Sequence, residues 1–256
     1  MSMTFQIQNS DPALLSKANS VARAFVQDFM RPDVVGIVLL GGIPRGYFDA
    51  HADIDIAIFQ QRGAELPLKE KFLHIDGLEV QIWLSDYEDD LEAAWDMARR
   101  WTYTQREIVY DPQGKIAQLL ARKVPLQPEE RRWMLMAGLT LSEWYINRLT
   151  QLWVDRGSLT SAQHMFEQGM NYFYEMLFGL NHELVADTKW RLYCVERLER
   201  LPSRFQERIR EAMLLHAFTV EDLDRRKRAF MLMWEEMKPV VEAETGMTFE
   251  EMLEVV

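Results

Sequence analysis

In the first half of the chain, the pattern of apolar and polar residues changes between helical and strand-like segments. An apolar stripe of helical period runs from Leu14 to Phe29, and Ser10 or Asp11 can cap the helix that it predicts. Two short apolar runs follow at residues 34–40 and 53–59, which is the usual length of a buried strand. The pattern therefore predicts one helix and then two strands.

A hairpin is predicted next. Asp76 and Gly77 stand between two alternating segments, an arrangement typical of a two-residue turn. In the second arm, apolar and polar residues alternate from Leu78 to Leu84, which sets Glu79 on the polar face. A helical pattern returns at residues 87–100, so the hairpin is expected to lead into a helix.

The pattern becomes wholly helical after a segment that contains Pro125 and Pro128. Helices are predicted at residues 128–156, 159–183, 187–200, 203–217 and 220–244, with a short one from Thr248. The sequence thus predicts an α+β fold in two domains. A small mixed-sheet domain occupies residues 1–124, and an all-α helical bundle occupies residues 125–256.

Composition narrows the classes of function. The 256 residues carry a formal net charge of −11, whereas binding to long nucleic acid needs a basic surface. No apolar run is long enough to span a bilayer, and the N-terminal segment does not resemble a secretory signal. A single cysteine excludes an internal disulfide. We therefore expect a cytoplasmic protein that binds neither membranes nor long nucleic acid.

Two carboxylates interrupt the second apolar run. Residues two apart on a strand lie on the same face, so Asp53 and Asp55 project together while Ile54 points to the other side. Adjacent carboxylates repel each other, and a divalent cation removes that penalty. Mg²⁺ prefers a few carboxylate oxygens together with substrate phosphates. The pair is typical of a magnesium site used in phosphoryl or nucleotidyl transfer.

A glycine pair precedes the carboxylates. Gly41 and Gly42 follow the first buried strand, twelve positions before Asp53 (53 − 41). Glycines allow a sharp turn whose N–H groups can surround a phosphate. The stretch is not a Walker A loop, because no Gly-Lys-Ser/Thr follows it.

The segment "LLGGIPRGYFDAHADIDIAIF" resembles the signature of the DNA polymerase β-like nucleotidyltransferase superfamily. This resemblance implies that Gly41 and Gly42 hold a nucleoside triphosphate, and that Asp53 and Asp55 bind Mg²⁺, with two ions expected. It also implies a third carboxylate from a later strand, and Glu79 matches that position. Glu79 would either ligate the metal or act as general base on an acceptor hydroxyl.

A second segment, "ERLERLPSRFQERIREAMLL", resembles the helical C-terminal region of aminoglycoside adenylyltransferases of the streptomycin/spectinomycin type. The resemblance implies that Lys189 contacts nucleotide phosphates. Two positions depart from the superfamily pattern: Gly42 stands where many members have serine, and Pro44 removes one backbone donor. Arg45 would meet phosphate oxygens or pair with Asp49.

These observations lead to one expected function and two alternatives. The expected function is Mg²⁺-dependent transfer of a nucleoside monophosphate, with ATP as the expected donor, to a hydroxyl of a small aminoglycoside-like acceptor. The helical domain would cover the cleft and select the acceptor. One alternative is an antitoxin-like enzyme that modifies a partner protein, and the other is a nucleotide-binding regulatory module without turnover. A homodimer is also compatible with the sequence.

Overall fold

The structure is a computed structural model that describes residues 7–68 and 70–256. Residues 1–6, where the N-terminal segment considered above begins, and Lys69, before the predicted hairpin, lie outside the described residues. The chain divides into two compact units, Met1–Pro125 (unit 1) and Leu126–Val256 (unit 2).

A five-stranded mixed sheet forms the centre of unit 1. Its strands are β1 (Val34–Gly41), β2 (Ile54–Gln60), β3 (Phe72–Ile75), β4 (Leu78–Asp86) and β5 (Glu107–Tyr110). Their order across the sheet is β3-β4-β2-β1-β5. Strand β1 pairs antiparallel with β2 and β5, β2 pairs parallel with β4, and β3 pairs antiparallel with β4.

Five helices accompany the sheet in the part of unit 1 that the structure describes. They are α1 (Pro12–Gln27), α2 (Gly42–Arg45), α3 (Tyr87–Glu92), α4 (Met97–Thr102) and α5 (Lys115–Lys123). Asp11 caps α1, because its Oδ1 accepts hydrogen bonds from the backbone N–H groups of Ala13 and Leu14. The capped first helix is therefore confirmed.

One face of the sheet packs against α1 and forms a buried apolar core. Ile54, Ile56 and Ile58 of β2 are fully buried in this core, together with residues of β1, β4 and α1. The alternation predicted for β2 is confirmed, since Asp55 lies on the other side of the strand. Burial of these branched side chains stabilises the part of the sheet that carries the two aspartates.

The hairpin is confirmed at its predicted turn. Asp76 and Gly77 adopt φ angles of 51° and 78°, as the tight turn between β3 and β4 requires. The single helix predicted at residues 87–100 is wrong, because the chain forms α3 and α4 with a break between them. Asp96 caps α4 by accepting from the Arg99 N–H, so a new helix begins there.

Unit 2 is helical throughout its regular structure. Its elements are α6 (Pro128–Glu143), a π-helical segment (Trp144–Leu149), α7 (Thr150–Asp155), α8 (Leu159–Leu180), α9 (Arg191–Val195), α10 (Phe205–Met213), α11 (Val220–Thr245) and α12 (Phe249–Leu253). The helices predicted at 187–200 and 203–217 are shorter than expected. The predicted α+β fold class, a mixed sheet followed by helices, is confirmed.

Close packing of α6 on α8 depends on small residues. Gly138 of α6 lies so near α8 that an added Cβ would sit 2.6 Å from the Met176 Cβ. The indole Nε1–H of Trp234 on α11 donates to the Leu139 carbonyl at 2.9 Å, which joins a third helix to this pair. None of the helices that the structure describes is long and apolar enough to cross a membrane.

Candidate active site

The glycine turn lies directly against a carboxylate. Gly41 ends β1 with a φ of 67°, in the left-handed region that favours glycine. A Cβ at Gly41 would sit only 2.2 Å from Oδ2 of Asp55. Only a residue without a side chain allows the backbone of the turn and the Asp55 carboxylate to occupy neighbouring positions.

Gly42 is enclosed as well. A Cβ there would sit 2.6 Å from the Tyr47 carbonyl oxygen, which belongs to the backbone. A serine at this position would therefore displace the loop after α2. The packing of Tyr47 therefore gives a physical reason for glycine at this position.

Asp53 and Asp55 occupy the start of β2. Asp53 directly precedes the strand and Asp55 is its second residue, and both are half-buried. Asp55 is paired in register with Leu40 of β1 and with Gln81 of β4. The two carboxylates therefore stand at the end of the sheet where β1 turns into α2.

Trp83 contacts this pair. Its indole Nε1–H donates to Oδ1 of Asp55 at 3.2 Å, while half of the side chain stays exposed. The sequence placed Trp83 on the polar face of β4 but gave it no role. Its alternation with Glu79 and Gln81, which puts it on the same face as Asp55, was the signal that could have identified it.

Glu79 lies beside the aspartates on the neighbouring strand. Pairing of β2 with β4 begins at Ile54 and Val80, so Glu79 is level with Asp53, one residue before the first pair. Its side chain is exposed. Among residues 7–68 and 70–256, no three His, Cys, Asp or Glu side chains are grouped closely enough to hold a metal ion. The structure thus sets Glu79 alongside the aspartates without forming a three-carboxylate cluster.

Tyr47 is a buried neighbour that the sequence did not identify. Burial raises the pKa of its phenol well above the ordinary value, and the charges of Asp49, Asp55 and Asp53 raise it further, against the opposing effect of Arg45. The phenol therefore stays protonated beside the carboxylates at physiological pH. Its carbonyl and ring enclose Gly42.

Arg45 lies under the turn. It is 7% exposed, its Nη1 donates to the Gly41 carbonyl at 2.9 Å, and its guanidinium lies 4.6 Å from the centre of the Trp101 ring. These contacts hold the backbone of the turn from its buried side. The phosphate contact expected for Arg45 stays a prediction.

Lys189 belongs to unit 2, in the segment before α9. Its side chain is exposed, and its backbone N–H donates to Oδ1 of Asp187 at 3.1 Å. The neighbouring rings of Trp190 and Tyr193 pack edge to face at 5.6 Å. The phosphate contact that the resemblance implies for Lys189 stays a prediction.

The donor set at the start of β2 fits a magnesium ion. Mg²⁺ is commonly held by one or two carboxylates together with substrate phosphates. Asp53 and Asp55 supply two carboxylates, and the turn at Gly41 leaves no side chain between Asp55 and the backbone N–H groups nearby. These residues could hold a metal that is completed by a bound polyphosphate.

No protein-family model and no curated protein matches the chain. Among solved structures, the chain is similar to a nucleotidyltransferase-like protein from Exiguobacterium sibiricum 255-15, at 10% identity and a TM-score of 0.49. That likeness covers 88% of this chain and 77% of the other. We base the functional proposal on the residues of the site.

Proposed function

We propose that the protein is a Mg²⁺-dependent nucleotidyltransferase that moves a nucleoside monophosphate from a nucleoside triphosphate, with ATP as the donor, to a hydroxyl group. One observation carries this proposal: the glycine turn at Gly41 is packed against the carboxylate of Asp55. The turn proposed to bind phosphate would thereby lie next to the acid proposed to bind the metal. Buried apolar residues on the other face of β2 support both.

The residues divide the work as follows. Asp53 and Asp55 would hold Mg²⁺, and Gly41 would let the triphosphate approach the backbone of the turn, while Gly42 keeps that turn packed against Tyr47. The metal, when bound, neutralises the triphosphate charge that would repel an attacking oxygen. Trp83 fixes one oxygen of Asp55 through its N–H, so the other remains directed toward the turn.

Glu79 acts as the general base of the proposed nucleotidyl transfer. The acceptor hydroxyl oxygen forms a bond to the α-phosphorus, and the bond from that phosphorus to the bridging oxygen breaks. Pyrophosphate leaves with the electron pair of the broken bond. The hydroxyl proton passes to the carboxylate of Glu79, whose exposed position on β4 makes it accessible to an acceptor.

For the acceptor we propose a small, hydroxyl-bearing, aminoglycoside-like molecule. A chain with a net charge of −11 attracts a cationic acceptor and repels nucleic acid. The motif that precedes and includes α10 supports the same class through its resemblance. We assign selection of the acceptor to unit 2, with Lys189 as its contribution to phosphate binding.

The test is release of pyrophosphate by the whole protein with Mg²⁺, each nucleoside triphosphate in turn, and a panel of hydroxyl-bearing acceptors. Mass spectrometry then identifies the molecule that gains a nucleoside monophosphate. We expect Asp55→Asn and Asp53→Asn to lower the rate on the order of a hundredfold or more, because each removes a metal ligand.

The matched control is Asp28→Asn, the same chemical change at an exposed residue that follows α1. It should leave the rate unchanged. If a protein gained the mass and no small acceptor did, the acceptor would be a protein, and the nucleotidyl-transfer reaction itself would stand. Turnover of Asp55→Asn at the wild-type rate would refute the metal site.

A further inference from the structure

A groove lies beside α2, the short helix that follows Gly41. It has a volume of about 520 Å³ and is lined by Pro44, Thr104, Gln105, Arg106, Glu107 and Ile108. Pro44 belongs to α2, which follows Gly41 directly, and Glu107 begins the edge strand β5. The groove is therefore bordered by α2, the helix that begins directly after the Gly41 position proposed to hold phosphate.

Arg106 is the unusual residue of this groove. Its side chain is half-buried, and its Nη1 donates to the Tyr103 carbonyl at 2.8 Å. Burial lowers the pKa of the guanidinium, since a charged group loses hydration there. In the part of the chain that the structure describes, no carboxylate pairs with it.

The one acid of the groove is already paired elsewhere. Glu107 accepts from Nη2 of Arg23, on α1, at 2.5 Å. Its side chain is thereby directed toward the helix that covers the core face of the sheet. Arg106 is thus a half-buried positive charge without a compensating carboxylate, in a chain whose net charge is −11. Burying such a charge costs stability unless a ligand offsets it.

The strand register relates Arg106 to the proposed metal site. Leu39 of β1 is paired with Glu107, and Leu40, the next residue, is paired with Asp55. Continuing the register by one residue sets Arg106 opposite Leu40 on the side away from Asp55. Neighbouring strands are about 4.8 Å apart, so the Cα atoms of Asp55 and Arg106 are separated by roughly 10 Å.

The alternation of side chains along β5 also indicates that Arg106 and Asp55 lie on the same face of the sheet. Glu107, the first residue of β5, reaches toward α1; continued one residue beyond the strand, this alternation sets Arg106 on the opposite face, on which Asp55 lies. A carboxylate for the metal and a cation for phosphate would then stand on either side of Leu40, the residue of β1 that precedes the glycine turn. A triphosphate chain and an arginine side chain together can bridge that separation.

We propose that Arg106 binds the terminal phosphates of the nucleotide, the part that leaves as pyrophosphate. The identity of this ligand rests on the proposed function, whereas the site itself is a polyphosphate site. The guanidinium offers paired N–H donors that match phosphate oxygens. Partial burial strengthens the interaction, and the ligand supplies the negative charge that the groove lacks.

The test measures binding of inorganic tripolyphosphate, ATP and adenosine to the whole protein by calorimetry in Mg²⁺. We expect Arg106→Gln to weaken binding of tripolyphosphate and ATP by about tenfold or more, as loss of a charge-assisted hydrogen-bonded pair implies. Adenosine, which has no phosphate, should bind both proteins alike. Arg106→Lys keeps the charge and should lose less.

The matched control is Arg122→Gln. Arg122 is an exposed arginine of α5 whose Nη2 also donates to a backbone carbonyl, that of Leu91, but it does not line the groove. It should bind tripolyphosphate as the wild type does. The thermal unfolding midpoint of Arg106→Gln should not lie below that of the wild type, because the substitution removes a desolvated charge.

The outcomes separate this inference from the proposed function. Equal affinity of wild type and Arg106→Gln for tripolyphosphate would overturn the role of Arg106, even if pyrophosphate release were seen. Failure of the wild type to bind tripolyphosphate would overturn it as well. Arg106-dependent binding without nucleotidyl transfer to any acceptor would support the polyphosphate site and refute the proposed reaction.

Discussion

At the scale of single residues, the hydrogen bond from Trp83 restricts the orientation of the Asp55 carboxylate. The indole N–H occupies Oδ1 of the carboxylate, and Gly41 leaves room for Oδ2 beside the turn. A free carboxylate rotates between several orientations, whereas a carboxylate with one oxygen hydrogen-bonded has fewer to choose from. We therefore propose Trp83 as a positioning residue, which would act on a bound metal through its hydrogen bond to Asp55.

Trp83→Phe tests this role, because it keeps an aromatic ring and removes the N–H donor. We expect the Mg²⁺ concentration needed for half-maximal pyrophosphate release to rise about fivefold, as loss of one hydrogen bond worth about 1 kcal/mol implies. A purely structural residue would change stability without changing the magnesium requirement.

Trp133→Phe is the control for that substitution, since Trp133 is a half-exposed tryptophan of α6 in the other unit. Its magnesium requirement should equal that of the wild type. If Trp83→Phe likewise titrated with magnesium as the wild type does, the hydrogen bond would have no part in positioning Asp55.

The sequence could predict that Asp53 and Asp55 lie on one face of a strand, but it could not predict that Trp83 and Tyr47 lie near them. Two acids in an apolar strand are visible as a pattern, because alternation alone sets them on one face. The contact of Trp83 with Asp55 depends on the pairing of β2 with β4 and on a side-chain rotamer. The burial of Tyr47 depends on the loop after α2. Neither follows from spacing along the chain.

At the scale of elements, the α6–α8 pair depends on the absence of a side chain at Gly138. An added Cβ would sit 2.6 Å from the Met176 Cβ and 2.8 Å from the Tyr172 carbonyl oxygen. The second atom belongs to the backbone of α8 and cannot move without shifting that helix. Close approach of two helix backbones therefore sets the geometry of unit 2.

Gly138→Ala separates two opposing effects. Alanine favours a helix over glycine by about 1 kcal/mol, whereas overpacking a tight interface costs about 1–3 kcal/mol. Because the obstructing atoms include backbone, we expect overpacking to win and the free energy of unfolding to fall by about 1–2 kcal/mol. Chemical denaturation of the full chain measures this.

His164→Ala gives the comparison, because His164 is exposed on α8. It should be neutral or slightly stabilising, since alanine is the better helix former. An equal or higher stability of Gly138→Ala would show that α6 and α8 can separate without cost.

Local signals predicted some elements and missed others. The turn at Asp76 and Gly77 was predicted because both residues tolerate a positive φ, and the structure uses it. Strand β5 was missed because its four residues, Glu-Ile-Val-Tyr, are too few to show a clear alternation of apolar and polar positions. It exists through pairing with β1, which is a long-range interaction.

At the scale of the whole molecule, charge is the dominant feature. The chain carries a net charge of −11, and some of its acidic side chains form ion pairs. Glu244 of α11 is the clearest case, because it pairs with two arginines. Its oxygens accept from Arg131 at 2.6 Å and from Arg200 at 2.7 Å. Hydrogen bonds from Arg131 and Arg200 hold the pKa of Glu244 below its ordinary value.

This bridge predicts a pH-dependent contribution to stability. A depressed pKa in the folded state means that the carboxylate stabilises the fold above its unfolded pKa of about 4.3, and that this is lost as pH falls through the folded pKa. Glu244→Gln should therefore lower the free energy of unfolding at pH 7 by about 1 kcal/mol. The difference from wild type should shrink below about pH 4.

Glu235→Gln, an exposed glutamate on the same helix, serves as the reference. Thermal unfolding midpoints from pH 3 to pH 7 would be compared for the three proteins. A deficit of Glu244→Gln that stayed constant across this range would mean that ionisation of Glu244 does not stabilise unit 2.

The most direct measurement of the central claim is binding of Mn²⁺ in place of Mg²⁺, followed by electron paramagnetic resonance with ATP present. We expect the wild type and Asp28→Asn to bind the Mn²⁺–ATP complex alike, and Asp53→Asn and Asp55→Asn to bind it at least tenfold more weakly. Equal binding of the complex by all four proteins would contradict the claim that Asp53 and Asp55 hold the metal beside the glycine turn.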